Sequence, residues 1–284
     1  MILFKQVEPL QQALDKFRQE GRSIGFVPTM GALHQGHLSL LEAARKENET
    51  VICSIFVNPT QFNDPSDFEK YPITLEKDIE LLIQSDTNLL FLPYVSEIYP
   101  NGTGNLPNYT IGFLETILEG KYRPGHFQGV CQVMHRLLEI VKADNLYMGQ
   151  KDYQQCMVVK RLLELTRIPT RLHTCPTLRE TDGLAMSSRN TRLSPVQRAP
   201  AVTISQVLKE ICETLQPGLT SPLLRAAEQK LENAGFKVDY VALADADNLE
   251  LLDHWDGKQS VVALAAAYLG EVRLIDNMLI QSGK

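Results

Sequence analysis

Short apolar runs alternate with helical patterns along most of this chain, and that alternation restricts its fold more than any single motif. Ile24-Gly25-Phe26-Val27-Pro28 is a run of strand length, and after a glycine-containing turn Leu38, Leu41 and Ala44 recur at helical spacing. Thr50 to Val57 is rich in β-branched residues, Leu75, Ile79 and Leu82 follow at i, i+4, i+7, and Leu89-Leu90-Phe91-Leu92 forms the next apolar run. The scheme then repeats, with a helix marked by Val130, Met134, Leu137 and Val141, a strand at Leu146 to Met148, a helix from Tyr153 to Leu165 and a strand from Arg171 to Pro176. Strands separated by helices pair in parallel, so one doubly wound α/β sheet is predicted for residues 1–176.

After residue 176 the pattern changes to two helical stretches, Pro195 to Leu215 and Pro222 to Ala234, followed by the runs Val238 to Leu243, Ser260 to Leu269 and Val272 to Asp276. Gly270-Glu271 suits a hairpin turn between the last two. A smaller α+β domain is predicted over 177–284, joined through Thr177 to Arg192. Two domains agree with a length of 284 residues, above the usual single domain of about 100–200.

A net charge of −6 supplies no general attraction for a phosphate backbone, which disfavours a DNA or tRNA partner. Five cysteines, at 53, 131, 156, 175 and 212, are far apart, odd in number and without a Cys-x-x-Cys pair, as expected in a reducing compartment. The apolar start, Met1 to Phe4, is short, and no run of about 18 apolar residues follows anywhere, so a soluble cytoplasmic protein is expected.

The densest motif is Pro28-Thr29-Met30-Gly31-Ala32-Leu33-His34-Gln35-Gly36-His37, between the first clear strand and a helix. A helix N-terminus presents unpaired N–H groups and the positive end of the macrodipole, and two imidazoles three residues apart can add donors to the same anion. An ordinary βα turn can also carry His-x-x-His, and a zinc site would need a third ligand that is not nearby.

Four further blocks carry polar groups near strand ends or junctions. Phe56-Val57-Asn58-Pro59-Thr60-Gln61-Phe62 offers two amides that both donate and accept, although Asn-Pro is also a plain turn dipeptide. Glu119 to Gly129 is a glycine-containing loop with Lys121, Arg123 and His126, able to close over a polyanion or simply to connect two elements. Gly149-Gln150-Lys151-Asp152-Tyr153-Gln154-Gln155 can set Lys151 as a point charge against phosphate, with Asp152 as an N-cap or a ligand contact. Leu184 to Asn190 offers Ser187, Ser188 and Arg189 in a row.

His-x-Gly-His after a first strand resembles the signature of the nucleotidyltransferase superfamily, and Met186-Ser187-Ser188-Arg189 is similar to its second phosphate loop. All five blocks in this order and spacing resemble the pantothenate synthetases, from about residue 24 to 193 and more weakly to Leu274-Ile275-Asp276-Asn277. The resemblance implies a Rossmann-like domain with a mobile carboxyl-terminal lid, a homodimer, and ligation of pantoate to β-alanine through a pantoyl-adenylate, with ATP as co-substrate. It assigns His34, His37 and Lys151 to catalysis, and these three with Ser187, Ser188 and Arg189 to the ATP phosphates. Met30, Gly149, Asp152, Leu178 and Met186 complete the implied ATP site, Asn58, Gln61 and Gln155 the pantoate and β-alanine site, and Asp78 the Mg²⁺ site.

Three positions depart from that pattern: Thr60 stands where Met is frequent, Gln150 where Glu is frequent, and Lys77 precedes Asp78 where a second acid is common. Three rival readings share parts of the pattern. A nucleotidyltransferase acting on a phosphate ester would not need the three amides; a tRNA synthetase relative would need an RNA surface; a non-catalytic ATP-binding regulator would keep the fold without turnover.

Overall fold

The structure, a computed structural model, describes residues 1–63 and 65–281. The chain forms two compact units, one of Met1–Gly149 with Val158–Pro176 and the other of Gln150–Met157 with Thr177–Lys284. Gln150–Met157 thus belongs with the carboxyl-terminal residues.

The first unit is built on six strands: β1 (Ile2–Phe4), β2 (Ile24–Thr29), β3 (Thr50–Ile55), β4 (Leu89–Phe91), β5 (Asn145–Gly149) and β6 (Arg171–Cys175). They lie in the order β1-β4-β3-β2-β5-β6, and every pair is parallel. Every residue of β3 is buried, as a strand covered by helices on both faces requires, and its sequence is accordingly mostly apolar or β-branched, with Thr50 and Ser54 its polar members. From β2 the chain steps outward to β3 and β4 on one side, then returns to β5 and β6 on the other. Such a reversal point is where open α/β sheets hold ligands, outside the carboxyl ends of the strands.

The sequence reading did not anticipate β1 or the Val7–Gln19 helix after it. β1 is an edge strand of three residues with Ile2 and Leu3 exposed, so it carries no burial pattern to read.

The Gln35–Glu47 helix is fixed to the sheet by a buried polar knot at its carboxyl end. Asn48 donates through Nδ2 to the Ala44 carbonyl at 2.8 Å and to the Tyr147 hydroxyl at 2.9 Å, and accepts from Asn145 at 2.8 Å. A Cβ on Gly25 would come within 2.7 Å of that Asn48 nitrogen, so β2 needs a glycine there. Burial pushes the Tyr147 phenol up to about 12, keeping it a neutral donor to Glu47.

In the second unit β7 (Gly218–Leu219) and β9 (His254–Trp255) form a small antiparallel pair. Its main sheet is antiparallel, with β10 (Val261–Leu269) between β8 (Phe236–Asp245) and β11 (Val272–Ile280). Leu269 faces Val272 across Gly270-Glu271, the expected two-residue hairpin, with Gly270 at φ +61°. The helices Thr203–Thr214 and Ser221–Asn233 supply Ile204, Leu208 and Leu231 to a core with Val261, Ala263 and Ala265. The helix expected over Pro195 to Leu215 is two helices, Pro195–Ala201 and Thr203–Thr214, because Pro200 withholds an N–H from the ladder just before the break.

Candidate active site

The Met30–His37 loop leaves the carboxyl end of β2 through two left-handed residues, Gly31 at φ +83° and Ala32 at φ +50°. Asp78, on the Leu75–Gln84 helix and only 1 % exposed, holds that turn in place. Its Oδ2 accepts the Ala32 N–H at 2.8 Å, and its Oδ1 accepts the Leu33 N–H at 2.8 Å and the Thr74 hydroxyl at 3.0 Å. Any Cβ on Gly31 would lie 3.1 Å from both Asp78 Oδ2 and the Ile55 side chain, which fixes glycine at that position.

His34 is the N-cap of the Gln35–Glu47 helix, and with His37 it forms a reciprocal capping box. The His34 Nδ1 accepts the Gly36 N–H at 3.1 Å, and the His37 Nδ1 accepts the His34 N–H at 3.3 Å. An accepting Nδ1 places the proton of a neutral imidazole on Nε2. The two rings lie 4.1 Å apart, tilted by 38°. Two imidazole donors at a helix N-terminus, outside the end of β2, form an anion-binding arrangement.

Asp78 does not fit the role of magnesium ligand. Both of its oxygens accept from N–H and hydroxyl donors, and Lys77 is its neighbour. Asp78 serves the histidine loop as an anchor.

The amides of the second block sit at the carboxyl end of β3. Asn58 is 1 % exposed and caps the short 3-10 turn Pro59–Gln61. Its Nδ2 donates to Gln61 Oε1 at 3.2 Å and to the Gly129 carbonyl at 3.1 Å, while its Oδ1 accepts the Tyr99 hydroxyl at 2.9 Å and the Thr60 hydroxyl at 3.1 Å. Asn58 is therefore saturated and acts as a bracket for Gln61, whose Nε2 reaches Met30 Sδ at 3.2 Å. That contact joins the amide block to the histidine loop. Beside them a pocket of about 280 Å³ opens among Met30, Ala32, Phe56, Leu75, Asp78 and Tyr94.

Sequence reasoning missed what lies under Gln61. Gly129 packs directly against the Thr60–Gln61 backbone, where an added Cβ would stand 2.3 Å from the Thr60 carbonyl oxygen. His126, 4 % exposed, donates from Nδ1 to the Gln61 carbonyl at 2.7 Å, and Arg123 lies 3.1 Å from its Nε2. Glu119 is buried beside Arg123 at 3.6 Å. The Glu119–Gly129 stretch is thus neither a plain connection nor an open cationic loop at these residues: it supports the amide block. A glycine and a histidine one helical turn apart were visible in sequence, but only tertiary contact shows what they face.

In the second unit Lys151 lies in the 3-10 turn Gln150–Asp152, half-buried, with Nζ 4.0 Å from Asp152 Oδ1. Gly149 closes β5 just before it, and Gln155 sits half-exposed in the Tyr153–Thr166 helix just after. The Met186 N–H bonds the Leu178 carbonyl at 3.0 Å and Arg179 bridges Ala185, so residues 178–186 form a narrow ribbon that delivers Ser187. Ser187 Oγ caps the 3-10 turn Ser188–Arg192 by accepting the Arg189 N–H at 3.3 Å. At the base of the ribbon Arg179 forks onto Asp276 at 2.7 and 3.0 Å; burial pushes that carboxyl up and the guanidinium pulls it down.

The structure therefore gathers Met30, His34, His37, Asn58 and Gln61 in one unit, and Lys151, Asp152, Gln155, Leu178, Met186, Ser187, Ser188 and Arg189 in the other. No cysteine is poised as a nucleophile in this set: none is in a disulfide, and burial pushes Cys53 and Cys131 up to about 12 and Cys212 to about 11. No helix among the described residues is long and apolar enough to cross a membrane.

A parallel sheet with two imidazoles at a helix N-terminus and a bracketed amide pair outside its strand ends has the framework of an α/β enzyme. Comparison with known proteins makes this specific. Residues 2–279 match the family described as Pantoate-beta-alanine ligase. A pantothenate synthetase of Azobacteroides pseudotrichonymphae genomovar. CFP2 is 44 % identical over 98 % of this chain and 99 % of its own length. One from Phocaeicola vulgatus is 41 % identical over 98 % and 99 %. The crystal structure of pantothenate synthetase from Thermus thermophilus superposes with a TM-score of 0.90 at 41 % identity, covering 98 % of this chain and 99 % of that one. The pantoate-beta-alanine ligase of Francisella tularensis, solved with beta-gamma ATP and beta-alanine, gives 0.83 at 38 %, covering 98 % and 97 %. This chain belongs to the pantoate-beta-alanine ligase family, and it is an enzyme of that kind.

Proposed function

We propose that this enzyme joins pantoate to β-alanine in two steps driven by ATP. In the first, a pantoate carboxylate oxygen attacks the α-phosphorus, the bond to the β,γ-pyrophosphate breaks, and pantoyl-adenylate forms. In the second, the β-alanine amine attacks the acyl carbon, AMP departs and the amine sheds a proton, leaving pantothenate. The single observation that carries this reading is the reciprocal capping of His34 and His37, which sets both imidazoles at the N-terminus of the Gln35–Glu47 helix, outside the end of β2.

The residues act by position and charge. Carboxylate and triphosphate repel, and His34, His37, Lys151, Ser187, Ser188 and Arg189 offset that repulsion while stabilising charge that moves onto pyrophosphate. Met30, Gly149, Asp152, Leu178 and Met186 complete the nucleotide site. Gln61, held by Asn58, and Gln155 orient pantoate, which removes orientational entropy from the barrier. An acyl-adenylate hydrolyses when wet, so the carboxyl-terminal residues serve as a lid that excludes water. Five cysteines without a disulfide suit a cytoplasmic enzyme, and a homodimer is the proposed assembly.

The test is an omission assay. Protein with ATP, Mg²⁺, pantoate and β-alanine should release AMP and pantothenate; leaving out β-alanine should still permit pantoate-dependent exchange of labelled pyrophosphate into ATP. Exchange that instead requires a phosphorylated acceptor, or ATP binding without AMP release, would overturn the two-step reading.

A further inference from the structure

We propose that Asn277, on β11, is the positioning residue that aims Lys151, an inference that rests on the reading of Lys151 as a phosphate-binding group. Asn277 is 2 % exposed and every polar atom of its side chain is used. The two hydrogens of its Nδ2 go to consecutive backbone carbonyls, Gln150 and Lys151, each at 2.9 Å. Its Oδ1 accepts the Gln150 side-chain amide at 3.1 Å.

Two donors from one planar amide, bonded to two successive carbonyls, fix the orientation of both peptide planes and therefore the direction in which the Lys151 Cα–Cβ bond leaves the chain. The turn itself is three residues of 3-10 helix, too short to hold that direction through its own hydrogen bonds. A small error at the backbone would grow along the four-carbon stem before it reached the ammonium group.

Asn277 is itself held in place. Its N–H donates to Asp276 Oδ1 at 2.8 Å, Arg179 clasps both Asp276 oxygens, and the same guanidinium reaches the Asn277 carbonyl at 3.3 Å. Arg179 also donates to the Gly183 carbonyl at 3.1 Å, inside the ribbon that delivers Ser187. Only an amide meets these demands: Asp would turn an acceptor toward two carbonyls, and Leu would leave both without a donor.

The experiment is a double-mutant cycle on the full-length enzyme, with kcat and KM measured separately for ATP and pantoate and folding checked by thermal melting. Asn277→Ala should lower kcat/KM for ATP about 10- to 100-fold, as expected when a charged group is misplaced by about an ångström. The KM for pantoate should stay within about 2-fold, and Lys151→Ala/Asn277→Ala should match Lys151→Ala within about 2-fold, because no aimed ammonium remains to be lost.

Should Asn277→Ala melt below the assay temperature, Asn277→Ser, which keeps one donor, carries the same cycle, and its loss must likewise vanish in the Lys151→Ala background. Losses that multiply in the double variant, or wild-type kinetics for the folded Asn277 variants while Lys151→Ala is impaired, would overturn the proposal. Wild-type turnover in Lys151→Ala would instead remove the phosphate-binding reading of the lysine, so the two failures are distinguishable.

Discussion

The two turns that carry the cationic and imidazole groups are held by opposite means. The Met30–His37 loop is stabilised largely from within: its histidines cap their own helix, its left-handed turn needs Gly31, and its outside anchor, Asp78, comes from a neighbouring helix of the same sheet. The Gln150–Asp152 turn is only three residues of 3-10 helix and is clamped by an amide 126 positions away in sequence. The first arrangement writes its function into consecutive residues. The second distributes it between a short turn and the last strand, so that a change in β11 acts on chemistry it does not touch.

Equal chemical weight for the two turns is the largest expected effect. His37→Ala and Lys151→Ala should each reduce turnover by about 10²–10³-fold, the loss seen when one preorganised electrostatic donor is removed. Steady-state assays on folded variants decide it; if one of them keeps wild-type turnover, the comparison loses that side.

Gly129→Ala should come next. Its methyl group would enter the Thr60–Gln61 backbone, and overpacking of that kind costs about 1–3 kcal/mol, read as a lower melting temperature together with a higher KM for pantoate. Unchanged stability and KM would show that the Gln61 turn yields freely. Asp78→Asn sharpens the contrast between local and distant support. The amide replaces one acceptor with a donor facing an N–H, which costs about 1–3 kcal/mol, and the Ala32 and Leu33 amides should lose hydrogen-exchange protection. Recovery of its activity by raising Mg²⁺ would return Asp78 to the role of metal ligand.

Most of the parallel sheet was legible because its strands are bounded by Gly, Pro and Asn and separated by helices of clear period; β3 and the Leu75–Gln84 helix fall where the spacing places them. β1 was not, since an edge strand of three exposed or half-exposed residues buries too little to leave a pattern. The histidine loop was readable as a unit, cap and glycine together. The partners of Asn58, the packing of Gly129 and the membership of Gln150–Met157 in the second unit were not, because each depends on contacts between residues tens of positions apart, which local periodicity does not encode. The bonds of Asp78 to the Ala32 and Leu33 amides were likewise not legible, because they join residues more than forty positions apart.

The smallest expected effect concerns Gln61, which stands between the two modes of support. Its Oε1 is held by Asn58 and its carbonyl by His126, yet among the described residues its Nε2 meets only the soft sulfur of Met30, a weak acceptor that a carboxylate or hydroxyl would displace. Gln61→Ala should therefore weaken pantoate by about 10-fold, the worth of one hydrogen bond to a charged or polar ligand, while ATP affinity stays within about 2-fold. Separate calorimetric titrations of the two ligands distinguish this from general damage, since a collapsed turn would also release Met30 and disturb the histidine loop it touches. Equal losses for both ligands would mean that Gln61 supports the loop rather than the substrate, and the amide block would then belong with Asp78 as scaffold.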